Sequence, residues 1–217
     1  MIKCLNINKA YGDLKVLKGV SAEIQQGEIV SIVGASGAGK STLLHIIGTL
    51  DRADSGKLII ADQEIEKLSA KKLSRFRNKN IGFVFQFHHL LPEFTAVENI
   101  CIPGYIAKNN ESDTKKQAMK LLSMLGLEQR SNHKPSELSG GEQQRVAVAR
   151  ALVNNPAVVL ADEPSGNLDS VSAQNLHELF FDLRKELNQT FVIITHNEEL
   201  ANMADRKLTM KDGVILG

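Results

Sequence analysis

The chain has 217 residues, 42% hydrophobic and 24% charged, with a formal net charge of +1 and two cysteines, Cys4 and Cys101. This suits one domain of ordinary size, with or without an inserted subdomain, and gives no global pull towards nucleic acid. Two remote cysteines form neither a disulfide framework nor a zinc site, which points to a reducing cytosol, and no apolar run reaches the ~20 residues that cross a bilayer.

Residues 1–9 alternate apolar and polar side chains like a strand and lack the apolar block of a signal peptide. If the chain works at a membrane, another chain must hold it there. Ile2–Tyr11 and residues 15–24 read as strands around a turn at Gly12 and Asp13. Residues 28–33 are a short β-branched run that enters a glycine-rich loop, and a helical pattern starts near Lys40. Residues 57–65 read as a hairpin strand, 68–77 as a basic helix and Ile81–Phe85 as a strand. From Phe87 to about Leu152 the pattern is helical, with Pro92, Pro103 and Pro135 as breaks and 109–114 as an exposed loop tip. Residues 158–161 form an apolar strand of the kind found inside a parallel sheet. A helix over 170–188, a strand over 190–195 and a hairpin around Lys211, Asp212 and Gly213 complete an α/β layout with a helical insertion.

Gly34, Ala35, Ser36, Gly37, Ala38, Gly39, Lys40 and Ser41 fit the phosphate-loop pattern without mismatch, between a strand and a helix. Glycines let successive backbone N–H groups face phosphates, and the helix start adds partial positive charge. Lys40 suits the β- and γ-phosphates, Ser41 a Mg²⁺ ion and Thr42 the α-phosphate. Asp162 and Glu163 end an apolar strand. Asp162 suits the metal shell, and Glu163 a water-polarising role. Alone, such a carboxylate pair is an ordinary strand end. Beside a phosphate loop it completes the needs of nucleotide hydrolysis.

Leu138, Ser139, Gly140, Gly141 and Glu142 open a second helix with a second glycine pair. Taken alone this is often a helix cap. Together with the preceding motifs it resembles the signature of ABC-type ATPases, and the resemblance covers essentially the whole chain. It implies a RecA-like mixed-sheet P-loop NTPase core with an N-terminal antiparallel β subdomain, residues 1–86 and 153–217. It also implies a helical subdomain, residues 87–152, carrying the signature. By the same resemblance Gln86 matches the Q-loop glutamine and a Mg²⁺ ligand, and His196 the switch histidine. Asn167 and Asp169 belong to the D-loop, and Tyr11 to the ring that stacks on adenine.

The implied machine is an ATPase using ATP and Mg²⁺. Two copies pair head to tail, and each signature completes the partner's ATP site. Two integral membrane permease subunits dock at the cleft near Gln86, on the cytoplasmic face of a bacterial inner membrane. Neither nucleic acid binding nor direct membrane insertion is expected. Residues 85–99 and 132–138 resemble the ATPase subunits of lipoprotein-releasing transporters. Macrolide-efflux and cell-division ATPases are the wider relatives. A soluble DNA-repair ABC ATPase is disfavoured, because roughly one hundred residues separate the loop from the signature without sustained heptads. Among Phe85, Phe87, Leu90, Leu91 and Phe94, about half are expected to be core, and the rest to form a docking patch.

Overall fold

The structure, a computed structural model, describes residues 1–216. Among these residues, two sheets carry the architecture. The antiparallel sheet has the order β2-β1-β4-β5, with β1 Ile2–Tyr11, β2 Leu14–Ile24, β4 Ser55–Ile60 and β5 Gln63–Glu64. The second sheet has the order β10-β9-β3-β8-β7-β6. Its strands are β3 Ile29–Val33, β6 Ile81–Phe85, β7 Val158–Asp162, β8 Phe191–Ile194, β9 Arg206–Lys211 and β10 Val214–Leu216. β9, β3, β8, β7 and β6 run parallel, and β10 returns antiparallel on β9.

Period-two alternation sorts the β7 side chains onto two cores. Val158 and Leu160 face one core with Ile32, Leu43, Leu44, Ile2 and Leu17, so α1, Lys40–Ile47, lies between the two sheets. Val159 and Ala161 face the other core with Val146, Leu121, Phe180 and Phe191. That core joins the parallel sheet to α3 Ala96–Ile106, α4 Glu111–Met124, α5 Gly140–Leu152 and α6 Ser170–Leu187. Rings Phe180 and Phe191 meet edge to face at 5.1 Å. Because β3, β7 and β8 are covered on both faces, they are nearly all apolar; the buried Ser31 of β3 is satisfied by donating its hydroxyl to the Ala201 carbonyl at 3.1 Å, and Asp162 stands only at the end of β7. α2 spans Ala70–Asn80, and a short α7 spans Glu198–Met203.

Three details depart from the expected outline. Residues 57–65 are not one strand: Ala61 and Asp62 both have positive φ and turn the chain into the two-residue β5, followed by a 3₁₀ turn. Pro103 does not break the helix but lies inside α3, and its carbonyl accepts from Asn78 and Asn154 side chains. Residues 109–114 are no loop tip. The Asn110 side chain caps α4 by accepting from the Asp113 N–H at 3.2 Å, and acids in the first turn complement the helix dipole. Thr114 is therefore buried, packed against Gly104. Both cysteines are buried and free, and burial pushes the Cys4 thiol up to about 12. No helix among the described residues is long and apolar enough to cross a membrane.

Candidate functional site

The phosphate-loop segment leaves β3 at the carboxyl edge of the parallel sheet and feeds α1. Gly34 has φ 149°, and a Cβ there would collide with the Met210 carbonyl oxygen, so only glycine fits against β9. The Gly213 N–H donates to the Ala38 carbonyl at 3.2 Å, so the β9–β10 turn backs the loop. Lys40, the first residue of α1, is only 7% exposed. Its Nζ donates to the carbonyls of Gly34 at 2.8 Å and Ala35 at 3.0 Å. The ammonium is thus held under the loop, while Ser36, Gly37 and Ser41 are exposed.

Across the cleft, β7 delivers Asp162, in register with Phe85 on β6 and Ile194 on β8. Glu163 follows in the left-handed region, φ 47°. Its N–H donates to the Ile194 carbonyl at 3.0 Å, and its Oε2 accepts from the His196 N–H at 3.1 Å. Oε1 is buried without a hydrogen-bond partner, although the His196 Nε2 lies 3.3 Å away. A bulky residue held at positive φ by flanking bonds is strain that its surroundings over-determine. The cleft so formed measures about 400 Å³ and gathers Ser36, Gly37, Gly39, Lys40, Ser41, Thr42, Asp162, Glu163 and His196. Leu14, Val16 and Ile194 also line it. Sequence reasoning missed these three, since an apolar strand residue carries no mark of the cleft it borders.

Other expected site residues lie outside this lining. The Gln86 amide donates to the Asn167 side chain at 2.8 Å, and Asn167 returns a bond to the Gln86 carbonyl at 3.3 Å. Asp169 caps α6, accepting from the Ser172 N–H at 2.9 Å and the Ser172 hydroxyl at 2.7 Å. The Ser172 backbone bond, helped by its hydroxyl, holds the Asp169 carboxyl below its ordinary range. Tyr11 is half exposed and donates to Asp51 at 2.6 Å, with the Lys9 ammonium 5.1 Å from its ring centroid. Partial burial works against ionising Asp51. Hydrogen bonds from Lys9, Tyr11 and the Arg52 N–H prevail and hold its carboxyl at about 2.

The 138–142 motif is itself a helix cap. Ser139 accepts from the Glu142 N–H at 3.2 Å, and Glu142 accepts from the Ser139 N–H at 2.8 Å. That backbone bond, with Ser139 and Arg130 side chains, lowers the Glu142 carboxyl. Leu138 is buried, whereas Ser139 and Gly140 are exposed and outside the cleft lining of their own chain.

Several residues that help to place the site belong to no motif in the sequence. Gln144 is fully buried, and its amide donates to the Phe85 carbonyl at 3.1 Å and the Pro164 carbonyl at 2.7 Å. Arg150 donates to the His88 and His89 carbonyls at 2.8 and 2.7 Å. His177, whose basicity burial lowers, meets the Ser165 hydroxyl at 3.0 Å. Of the 85–94 segment, Phe87, Leu91 and Phe94 are exposed, and Leu90 packs against the helical core.

Among the described residues, no three His, Cys, Asp or Glu side chains gather as a metal cage. The hard oxygens of Ser41 and Asp162, both in the cleft, suit a Mg²⁺ ion that takes its other ligands from water and phosphate.

Residues 17–166 match the ABC transporter family. The lipoprotein-releasing system ATP-binding protein LolD of Cytophaga hutchinsonii is 61% identical over 216 residues, covering 100% of this chain and 99% of that protein. Its counterpart in Bacteroides thetaiotaomicron is 60% identical over 215 residues, covering 99% of each. The dimeric post-hydrolysis state of the ATP-binding cassette MJ0796, bound to ADP and Pi, superposes with a TM-score of 0.89 at 40% identity. It covers 100% of this chain and 97% of that one. With a family match over more than half its length and full-length relatives at this identity, the chain belongs to the ABC transporter family as one of its ATP-hydrolysing cassettes.

Proposed function

We propose that this cassette is the motor of a lipoprotein-releasing transporter, and that it works as a head-to-tail pair of copies beneath two integral membrane permease subunits. The observation that carries the ATPase half is the convergence of Lys40, Ser41, Asp162, Glu163 and His196 on one cleft. The cargo half rests on full-length relatives named as lipoprotein-releasing system ATP-binding proteins at 58–61% identity.

In this reading Lys40 exchanges the Gly34 and Ala35 carbonyls for the β- and γ-phosphates. The exchange is favourable, because bonds from the ammonium to anionic phosphate oxygens replace bonds to neutral carbonyls. Backbone N–H groups of 36–41 cradle the phosphates, and Thr42 donates to the α-phosphate. Ser41, Asp162 and Gln86 would hold Mg²⁺, which would supply positive charge to the phosphate oxygens. Glu163 orients the attacking water through its free Oε1, with His196 against it. Tyr11 covers the adenine. Ser139, Gly140 and Gly141, which lie outside the lining of their own cleft, reach the partner's nucleotide. The D-loop residues Asn167 and Asp169 lie beside that seam. Residues 87–152 act as a helical subdomain, and the exposed Phe87, Leu91 and Phe94 receive the permease, placing the cassette at the cytoplasmic face of the inner membrane.

The test is to purify the chain with its native membrane partners, reconstitute the complex in vesicles carrying an acylated lipoprotein, and add ATP. Release into solution that stops with Glu163→Gln supports the reading. Efflux of soluble compounds with lipoprotein left in place refutes it.

A further inference from the structure

The helix α2 is basic along its whole length. Its 11 residues include Lys71, Lys72, Arg75, Arg77 and Lys79 and no acid. The spacing of Lys71, Arg75 and Lys79 puts these three on one face, since every fourth residue of a helix aligns. They are exposed and border a groove of about 740 Å³. Lys108, just past the end of α3, stands on the same groove. Among the described residues, no carboxylate lines this groove and none lies within 4 Å of these four cations.

The groove is built, not incidental. Asn154 donates to the Asn78 carbonyl at 3.0 Å and the Pro103 carbonyl at 3.1 Å, and Asn109 donates to Asn154 at 3.1 Å. These bonds join α2, the end of α3 and the end of α5 into one fixed floor. Ile106, 67% exposed, stands on the same edge as the cations, and Tyr105 beside it is also exposed.

We propose that this groove is a docking surface for the anionic headgroups of a lipid bilayer, a direct contact in addition to any made through permease subunits. Three observations select a lipid surface over an acidic protein segment. Three of the four cations are lysines, which act as mobile point charges, whereas recognition of a shaped carboxylate array favours arginine forks. Three of the cations, Lys71, Arg75 and Lys79, are spread along one helix face, and Lys108 joins them from across the groove. The exposed Ile106 on the same groove gives an apolar edge that suits the headgroup level. The net charge of +1 makes this a property of the patch and not of the whole chain. The contact needs no insertion.

Each cation near an anionic leaflet strengthens partitioning about five-fold. Neutralising three of them is expected to weaken it by about a hundred-fold if their contributions add. The experiment uses the purified full chain and sucrose-loaded vesicles of phosphatidylcholine, with or without about 30 mol % phosphatidylglycerol. Binding to anionic vesicles alone, falling steeply with added salt, is expected. The Lys71→Gln/Arg75→Gln/Lys79→Gln variant should lose it while keeping melting temperature and ATP hydrolysis. Should the triple variant fold poorly, Lys79→Gln alone should cost about five-fold. Lys115→Gln/Lys116→Gln/Lys120→Gln, an equal charge change on α4, should bind nearly as the unaltered chain. Equal losses from both triple variants, or no binding of the unaltered chain at low salt, overturn the proposal. So does a result in which the α2 variant keeps its vesicle binding but falls off detergent-solubilised permease, because the groove then takes an acidic protein segment.

Discussion

Glu163 carries both the proposed chemistry and a backbone strain, and three substitutions separate the two. A non-glycine residue in the left-handed region costs roughly 1–2 kcal/mol, while glycine elsewhere in a strand or helix is worse than alanine by about 0.5–1 kcal/mol. At φ 47° the strain term is the larger, so Glu163→Gly should be more stable than Glu163→Ala by about 0.5–1 kcal/mol, reversing the usual order. Both lose the Oε2 bond from the His196 N–H, worth about 1 kcal/mol, so it cancels in the comparison. For a chain of this size the gap corresponds to about 1–4 °C in melting temperature. Glu163→Gln keeps the shape and an oxygen for His196, so its stability should stay within about 1 kcal/mol of the parent. Its turnover should fall by about 10²–10⁴, since an amide cannot take up a proton from water. Differential scanning calorimetry and phosphate release read the two effects. If alanine matches or exceeds glycine, the strain is not there. If the glutamine variant hydrolyses ATP at the parent rate, Glu163 does not position the water.

Lys40→Ala should weaken ATP binding by about 1.5–3 kcal/mol in calorimetry, and unchanged affinity would mean that the loop binds something else. Ser139→Arg should retain ATP binding but not turnover, and it also loses its cap at a cost of about 1 kcal/mol. Mixing it with Lys40→Ala should restore partial activity, because one composite site then carries both lesions and the other none; full activity from either parent refutes the shared site. Asp51→Asn should destabilise the fold at neutral pH. The wild-type carboxyl lies at about 2 against an ordinary 3.8, so its contribution is present above the ordinary value and fades as pH falls towards about 2. Discounted for its 30% exposed side chain, that is about 1 kcal/mol at pH 7, read as a melting gap that closes below about pH 4. Phe87→Asp with Leu91→Asp should leave melting and ATP binding intact and break co-purification with permease, whereas unfolding would mean these residues are core.

The strands of the parallel sheet were legible because burial on both faces forces apolar runs such as 158–161 and 191–194. The loop was legible because Gly34 is required by the Met210 carbonyl behind it, so the pattern records a real steric limit. What escaped was anything decided by a contact distant in sequence. Pro103 looked like a helix end, but side chains from α2 and from just beyond α5 engage its carbonyl inside α3. The polar run 109–114 looked like a loop because its capping bonds are made by the same residue types that build turns. The positive φ of Glu163 has no sequence mark, since glutamate is not among the residues enriched there. Gln144 stood in a helix where one glutamine looks like another, and only the fold shows which is buried.

That glutamine alters how the two halves of the site are joined. α5 exposes Ser139 and Gly140 at its start, one turn later sends Gln144 to the carbonyls of Phe85 and Pro164, and near its end sends Arg150 to those of His88 and His89. Phe85 directly precedes Gln86, and Pro164 directly follows Glu163. Sliding α5 past either segment would strand a buried amide or carbonyls at a cost of about 1–3 kcal/mol for each lost partner. Moving all of them together breaks none of these bonds. Gln144 and Arg150 therefore tie the helix that bears the signature to the residue before Gln86, to the turn after Glu163 and to the backbone just past the exposed Phe87. A displacement of α5 has two short hydrogen-bonded links towards Phe87, Gln144 to Phe85 on one side of it and Arg150 to His88 on the other.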